Sequence, residues 1–100
     1  MYKSKFATSD MDDLFTDILK LESVEECYRF FEDLCTIKEI QDMSQRLKVA
    51  RMLEEKTPYH LIVEETKAST ATISRVSKSL TYGAEGYKLI FNKDKQSSKQ

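Results

Sequence analysis

The stretch that decides the fold is Lys67-Ala68-Ser69-Thr70-Ala71-Thr72-Ile73-Ser74-Arg75-Val76. Ser69 is a natural N-cap, because its hydroxyl can accept a hydrogen bond from the unpaired backbone N–H groups of the next turn. Ile73, Val76 and Leu80 recur at the i, i+3, i+7 spacing of one buried helix face. The sequence therefore predicts an amphipathic helix over residues 70–80.

The outer faces of this helix carry short hydroxyl side chains and cations. Between Lys67 and Leu80 there are three basic residues and no carboxylate. Residues near the start of a recognition helix contact base edges in the major groove, where a threonine or alanine methyl can pack on a thymine methyl. Because serine and threonine are mediocre helix formers, their concentration here indicates a special role. We interpret the helix as one that reads DNA, with Thr72 as the leading candidate for a base contact. The full candidate set is Lys67, Ser69, Thr70, Ala71, Thr72, Ser74, Arg75 and Lys78.

A short helix precedes the reading helix. Thr57-Pro58 supplies an N-cap followed by proline at the first helical position, where the missing N–H costs nothing. The apolar pattern stops near Thr66, so two helices meet across a turn of about four residues, which predicts a helix-turn-helix over 58–80. The turn position that often takes a left-handed glycine is Lys67, so the turn is expected to differ in detail.

Composition favours one all-α domain. The 100 residues are 40% apolar and 33% charged, with two glycines and one proline. We predict a flexible arm over 1–8, a single all-α domain over 9–92, in which 9–56 form dimerisation helices, and a disordered tail over 93–100. The longest apolar run is too short to span a bilayer and the N-terminus has no signal-peptide core, so no membrane contact and a cytoplasmic location are expected.

The first half of the chain predicts three helices, capped by Ser9, by the capping box that begins at Ser23 and by the one that begins at Thr36. The third could run about twenty residues. Its main apolar stripe is Ile40, Met43, Leu47, Ala50 and Leu53, with Val49 and Met52 extending round the side. Such a wide apolar face indicates burial between subunits, although a central helix wrapped by its own neighbours explains it equally well.

Charge is sorted along the chain. The net charge is −1, but Asp10 to Glu39 holds ten acids and three bases, whereas Thr66 to Gln100 holds seven bases and two acids. A local basic face can contact phosphates while an acidic remainder stays off the DNA backbone. The alternative is a basic tail that serves solubility, since four of the seven cations lie beyond Tyr87.

Enzymatic and metal sites find little support. Cys27 and Cys35 are eight residues apart in one helical pattern, too far for a local disulfide, so both are expected to be reduced packing residues. His60, the single histidine, stands in no Cys/His spacing and beside no nucleophile or glycine-rich phosphate loop. We therefore expect no catalysis, no metal and no cofactor.

Two segments stand out, Glu25-Glu26-Cys27-Tyr28-Arg29-Phe30-Phe31 and Ala68-Ser69-Thr70-Ala71-Thr72-Ile73-Ser74-Arg75. The span from about Leu34 to Leu80 resembles the tryptophan repressor superfamily, and the whole chain looks like its small YerC/YecD-type branch, for which these two segments are the most telling. This resemblance implies an all-α, intertwined homodimer with interlocked N-terminal helices and two helix-turn-helix heads that read successive major grooves of double-stranded DNA. Half-sites would then lie roughly 34 Å apart on one face of the duplex.

The same resemblance implies a possible ligand pocket, formed by Thr36 from the partner subunit with Arg46, Arg75 and Ser79. The superfamily has a glycine beside the bound indole where this chain has Val76, whose side chain would project into that space or into the local core. Since a packed interior leaves no spare room for an aromatic ring, tryptophan is not the expected ligand. Arg46 and Arg75 could instead bind another anion, pair with acids or touch phosphates.

The function favoured by the sequence is a sequence-specific DNA-binding transcriptional regulator, expected to act as a repressor, in which helix 70–80 reads the major groove. The rival is a helical protein-interaction module, in which the acidic first half docks a partner and the helix-turn-helix is vestigial. A third possibility is a small-molecule sensor. Salt dependence separates the first two, because DNA binding weakens steeply as salt rises.

Overall fold

The computed structural model describes residues 2–98, which form six helices and no strand. The helices are α1 Ser9–Ile18, α2 Val24–Leu34, α3 Ile37–Glu54, α4 Tyr59–Thr66, α5 Thr70–Tyr82 and α6 Gly86–Ser98. Residues 2–8 precede α1 and lie outside any helix. The predicted all-α fold class is confirmed.

Contacts divide the chain into two compact units, one that ends at Ile37 and one that begins at Lys38. The sequence had indicated no boundary within 9–92. The first unit contains α1 and α2, neither of which buries a residue. Large apolar side chains on these helices stay open to solvent, with Phe15 59% and Leu19 84% exposed. The pair is amphipathic, but its apolar faces exceed what two short helices can cover for each other.

Both helices of the first unit begin with a hydroxyl N-cap, although the capping residue of α1 differs by one position from the predicted one. Thr8, rather than Ser9, caps α1, since its Oγ1 accepts the backbone N–H three residues on at 3.1 Å. Ser23 caps α2 as predicted and accepts the N–H of Glu26 at 3.1 Å. The Glu26 carboxylate reaches back to the N–H of Glu22, one residue before the cap, at 2.9 Å. Both helix starts are therefore satisfied locally.

The second unit contains α3 to α6 and the core of the described residues. The core consists of Val49, Ala50, Met52, Ile62, Ala68, Ile73, Val76 and Phe91. Ile73 and Val76 are buried as predicted, and Leu80 packs against them half-buried. The apolar surface predicted for α3 is confirmed in its second half, where Val49, Ala50 and Met52 are buried and Leu47 and Leu53 pack against the core. Met43 of the expected main stripe is the exception, because it is 40% exposed.

The predicted disorder from residue 93 is wrong for residues 93–98, because α6 continues to Ser98. Phe91 is 5% exposed and anchors this helix in the core. Arg51 of α3 holds the helix from outside, since its Nη1 donates to Asp94 Oδ2 at 2.8 Å and its guanidinium lies 5.1 Å from the Phe91 ring centroid. Lys95 Nζ lies 3.9 Å from Glu54 Oε2. Residues 99–100 of the predicted tail lie outside the described residues.

Candidate nucleic-acid interface

The two helices α4 and α5 meet across the three residues Lys67, Ala68 and Ser69. Lys67 takes the left-handed conformation, with φ 61° and ψ 16°, and its N–H donates to Val63 O at 2.9 Å. Ala68 is 2% exposed, and its N–H donates to Thr66 Oγ1 at 3.1 Å. The turn thus keeps the geometry for which glycine is usually selected, with a lysine at the critical position.

Ser69 begins α5 as predicted. Its backbone is extended, and its Oγ accepts the N–H of Thr72 at 3.1 Å. The same hydroxyl donates to Thr72 Oγ1, also at 3.1 Å. Thr72 is half-buried, so its methyl and hydroxyl are held in place by the cap rather than free to rotate in solvent. The remaining candidates, Thr70, Ala71, Ser74, Arg75 and Lys78, are exposed.

A polar cleft of about 470 Å³ lies between α3 and the start of α5. It is lined by Lys38, Asp42, Gln45 and Arg46 of α3 and by Lys67, Ser69, Thr72 and Arg75. Lys38 is paired with Asp42 at 3.3 Å, whereas Arg46, Lys67 and Arg75 form no ion pair with any residue in the range 2–98. Three exposed, unneutralised cations around one cleft attract anions, and phosphate oxygens are the anions that a nucleic-acid backbone offers.

The structure brings together half of the predicted ligand pocket. Arg46 and Arg75 line the polar cleft. Ser79 lines a different cavity of about 270 Å³, beside Gly83, Gly86 and Tyr87. Thr36 belongs to the other compact unit. Val76 is 1% exposed and its side chain packs in the core rather than in the cleft.

Apart from Arg46, the contribution of α3 to this surface was not predicted from the sequence. Lys38, Asp42 and Gln45 follow one another at i, i+4 and i+7, the spacing of a single helix face. That polar stripe was visible in the sequence. The sequence did not show that this stripe faces the start of α5, because those residues lie about thirty positions further along the chain.

Other site types gain no support. Among residues 2–98, no group of three or more histidine, cysteine, aspartate or glutamate side chains could hold a metal ion. Cys27 is exposed and Cys35 partly buried, and neither forms a disulfide. No helix in the described part of the chain has the length and apolar character needed to cross a membrane.

Comparison with known proteins finds relatives that match nearly the whole chain. A family model described as Trp repressor protein matches residues 9–95. The uncharacterized protein YerC of Bacillus subtilis is 53% identical over 96 residues, which cover 96% of this chain and 92% of YerC. A crystal structure of a candidate Trp repressor from Staphylococcus aureus superposes with a TM-score of 0.87 at 49% identity and covers 91% of each chain. A TrpR-like protein from Eubacterium eligens gives a TM-score of 0.86 at 52% identity, covering 89% of this chain and 92% of that one.

Proposed function

The chain belongs to the Trp repressor family, in the branch that includes YerC, and on that basis we propose that it is a sequence-specific DNA-binding transcriptional regulator. Helix α5 would enter the major groove, and the regulator would act as a repressor in the cytoplasm, without catalytic activity. One observation carries the proposal: the start of α5 presents exposed hydroxyl and methyl groups beside three cations that have no acidic partner within residues 2–98.

Each half of that surface suits one part of DNA recognition. Thr70, Ala71 and Ser74 are short and exposed, so the helix backbone can approach base edges closely. Arg46, Lys67 and Arg75 surround the cleft next to them and would bind the phosphates that fix the register of the protein on the duplex. Lys78, exposed one turn further along α5, would contact a phosphate beyond the cleft.

We propose a homodimer as the DNA-binding form. The unit that ends at Ile37 leaves a broad apolar surface exposed, formed by Met11, Phe15, Leu19, Val24, Tyr28, Leu34 and Ile37. So many large apolar side chains exposed in one unit suit an interaction site. In a dimer the two reading helices would serve half-sites roughly 34 Å apart, the spacing that helix-turn-helix dimers use.

Tryptophan is not the proposed effector, and the reason differs from the one that sequence suggested. Val76 fills the core and leaves the cleft its space. The cleft, however, is lined by eight polar or charged residues and no apolar one, so an indole ring would find little apolar surface to cover it. If Thr36, Arg46, Arg75 and Ser79 hold a ligand in the assembled protein, its recognised part is expected to be an anionic group.

A selection from random double-stranded DNA tests the proposal. Purified full-length chain is incubated with the library at low salt, and retained duplexes are sequenced over several rounds. We expect one enriched motif with two half-sites in related orientation, because two identical heads read it. Failure to retain any duplex at low salt would end the DNA-binding proposal.

One observation favours a second function, a helical protein-interaction module. The N-terminal unit exposes large apolar side chains, which suits docking to a partner mainly through apolar contacts. Salt titration separates the two functions. Binding to DNA should weaken by orders of magnitude between 50 and 200 mM salt, roughly 10³-fold or more for six phosphate contacts, whereas docking through apolar contacts should barely change.

A further inference from the structure

A side chain of α3 bonds directly to the end of α4, where the turn of the helix-turn-helix begins. Gln45 Nε2 donates to the main-chain oxygen of Thr66 at 3.0 Å, across 21 residues of sequence. Thr66 is the last residue of α4, and the next residue is the left-handed Lys67. Both partners are half-buried, so this hydrogen bond is partly protected from competition by water.

The other polar contacts of Thr66 are local. Its Oγ1 donates to Ile62 O at 2.7 Å and accepts the N–H of Ala68 at 3.1 Å. These bonds shape the turn. Because they join residues within the helix-turn-helix, they do not fix the position of the helix-turn-helix on α3. The bond from Gln45 is different in kind, because it satisfies a carbonyl at a helix C-terminus from another helix.

We infer that Gln45 is a positioning residue for DNA reading, an inference that rests on the proposed function. By holding Thr66 O, Gln45 fixes the point at which α4 ends and therefore the direction in which α5 leaves the turn. Gln45 also lines the polar cleft beside Arg46, so the bond sits within the surface proposed to face phosphates. The amide is uncharged, so it sets geometry without adding to the attraction for DNA.

The variant Gln45→Met tests this role, because methionine is similar in length and helix propensity but cannot donate. Gln41→Met is the matched control: Gln41 lies one turn earlier on α3, is exposed, and its side chain forms no hydrogen bond within residues 2–98. Both variants are measured against the duplex recovered by selection and against a scrambled duplex of equal length, over a range of salt concentrations.

For Gln45→Met we expect up to about fivefold weaker binding to the selected duplex, because the loss of one net hydrogen bond can lower the share of molecules with α5 correctly placed by at most about that factor. Binding to the scrambled duplex should weaken less than binding to the selected one, and the salt slope should stay unchanged because no charge is lost. A residue that merely stabilised the fold would weaken both duplexes alike. Gln41→Met should match the unaltered chain in every measurement.

A second measurement needs no DNA. The amide nitrogen of Lys67 is bonded to the carbonyl carbon of Thr66, so its NMR shift responds to the hydrogen bond on that carbonyl. We expect this resonance to move in Gln45→Met and to stay in place in Gln41→Met. If the unaltered chain retains no duplex, the proposed function fails; if it binds and Gln45→Met binds equally well, or the Lys67 resonance does not move, the inference about Gln45 is overturned.

Discussion

Replacing Lys67 by glycine should stabilise the fold and weaken DNA binding at the same time. Lys67 has φ 61°, a left-handed conformation that costs an L-residue about 1–2 kcal/mol relative to the right-handed one. Glycine avoids that cost but gains about 0.4–1 kcal/mol of extra conformational freedom in the unfolded chain. The free energy of unfolding should therefore rise by a net value of about 0.7 kcal/mol, which corresponds to a rise in Tm of about 4 °C for a domain of this size.

The effect on DNA runs the other way. Lys67 is exposed, lines the polar cleft and has no acidic partner among residues 2–98, so its charge is available to a phosphate. Removing one such contact lowers the slope of log K against log salt by about 0.9 for each protomer. Lys67→Gly should therefore bind more weakly at low salt to selected and scrambled duplexes alike.

Two control variants separate strain from charge. Lys67→Ala removes the charge but keeps a Cβ in the left-handed turn, so it should lose the same salt slope without the rise in Tm. Lys56→Gly relieves a similar conformation, with φ 62°, at an exposed lysine outside the cleft, so it should raise Tm and leave DNA binding alone. Thermal unfolding by circular dichroism and fluorescence anisotropy on labelled duplex measure the two effects. A Tm for Lys67→Gly at or below that of Lys67→Ala would refute the strain argument, and an unchanged salt slope would refute the phosphate contact.

The remaining predictions concern α5 and its end. Thr72→Ala should alter the motif recovered by selection, whereas Lys78→Ala should weaken all duplexes and lower the salt slope by about one. Val76→Ala should lower the free energy of unfolding, measured by chemical denaturation, by about 2 kcal/mol, since it removes two buried carbon groups and leaves a cavity. Added tryptophan should raise the Tm of neither the variant nor the unaltered protein. Gly83→Ala should destabilise the fold by about 1–3 kcal/mol, because a Cβ there would collide with the main-chain oxygen of Ser79; an unchanged denaturation midpoint would show that the end of α5 can yield.

The parts of the fold that sequence predicted correctly depend on neighbours within one or two helical turns. The Ser69 cap joins residues three apart, and the burial of Ile73 and Val76 follows from the period of one helix. The errors come from contacts between distant segments. The helix that includes residues 93–98 is linked to α3 by the pair of Arg51 and Asp94, 43 positions apart, and nothing near Asp94 in the sequence indicates that partner. For α3, periodicity identified apolar positions but could not say which of them face the same unit.

The faces of α5 explain why Val76 does not block the polar cleft. Positions 72 and 75 of α5 face the polar cleft, whereas positions 73 and 76 face the core. Adjacent residues on a helix point about 100° apart, so Arg75 and Val76 belong to different environments although they are neighbours in sequence. Enlarging position 76 therefore removes space from the core and not from the cleft. Val76→Gly should accordingly destabilise the protein without creating a tryptophan site, because the polar lining from α3 stays in place. Stabilisation of that variant by tryptophan in a thermal melt would instead show that the side chain at position 76 decides ligand choice.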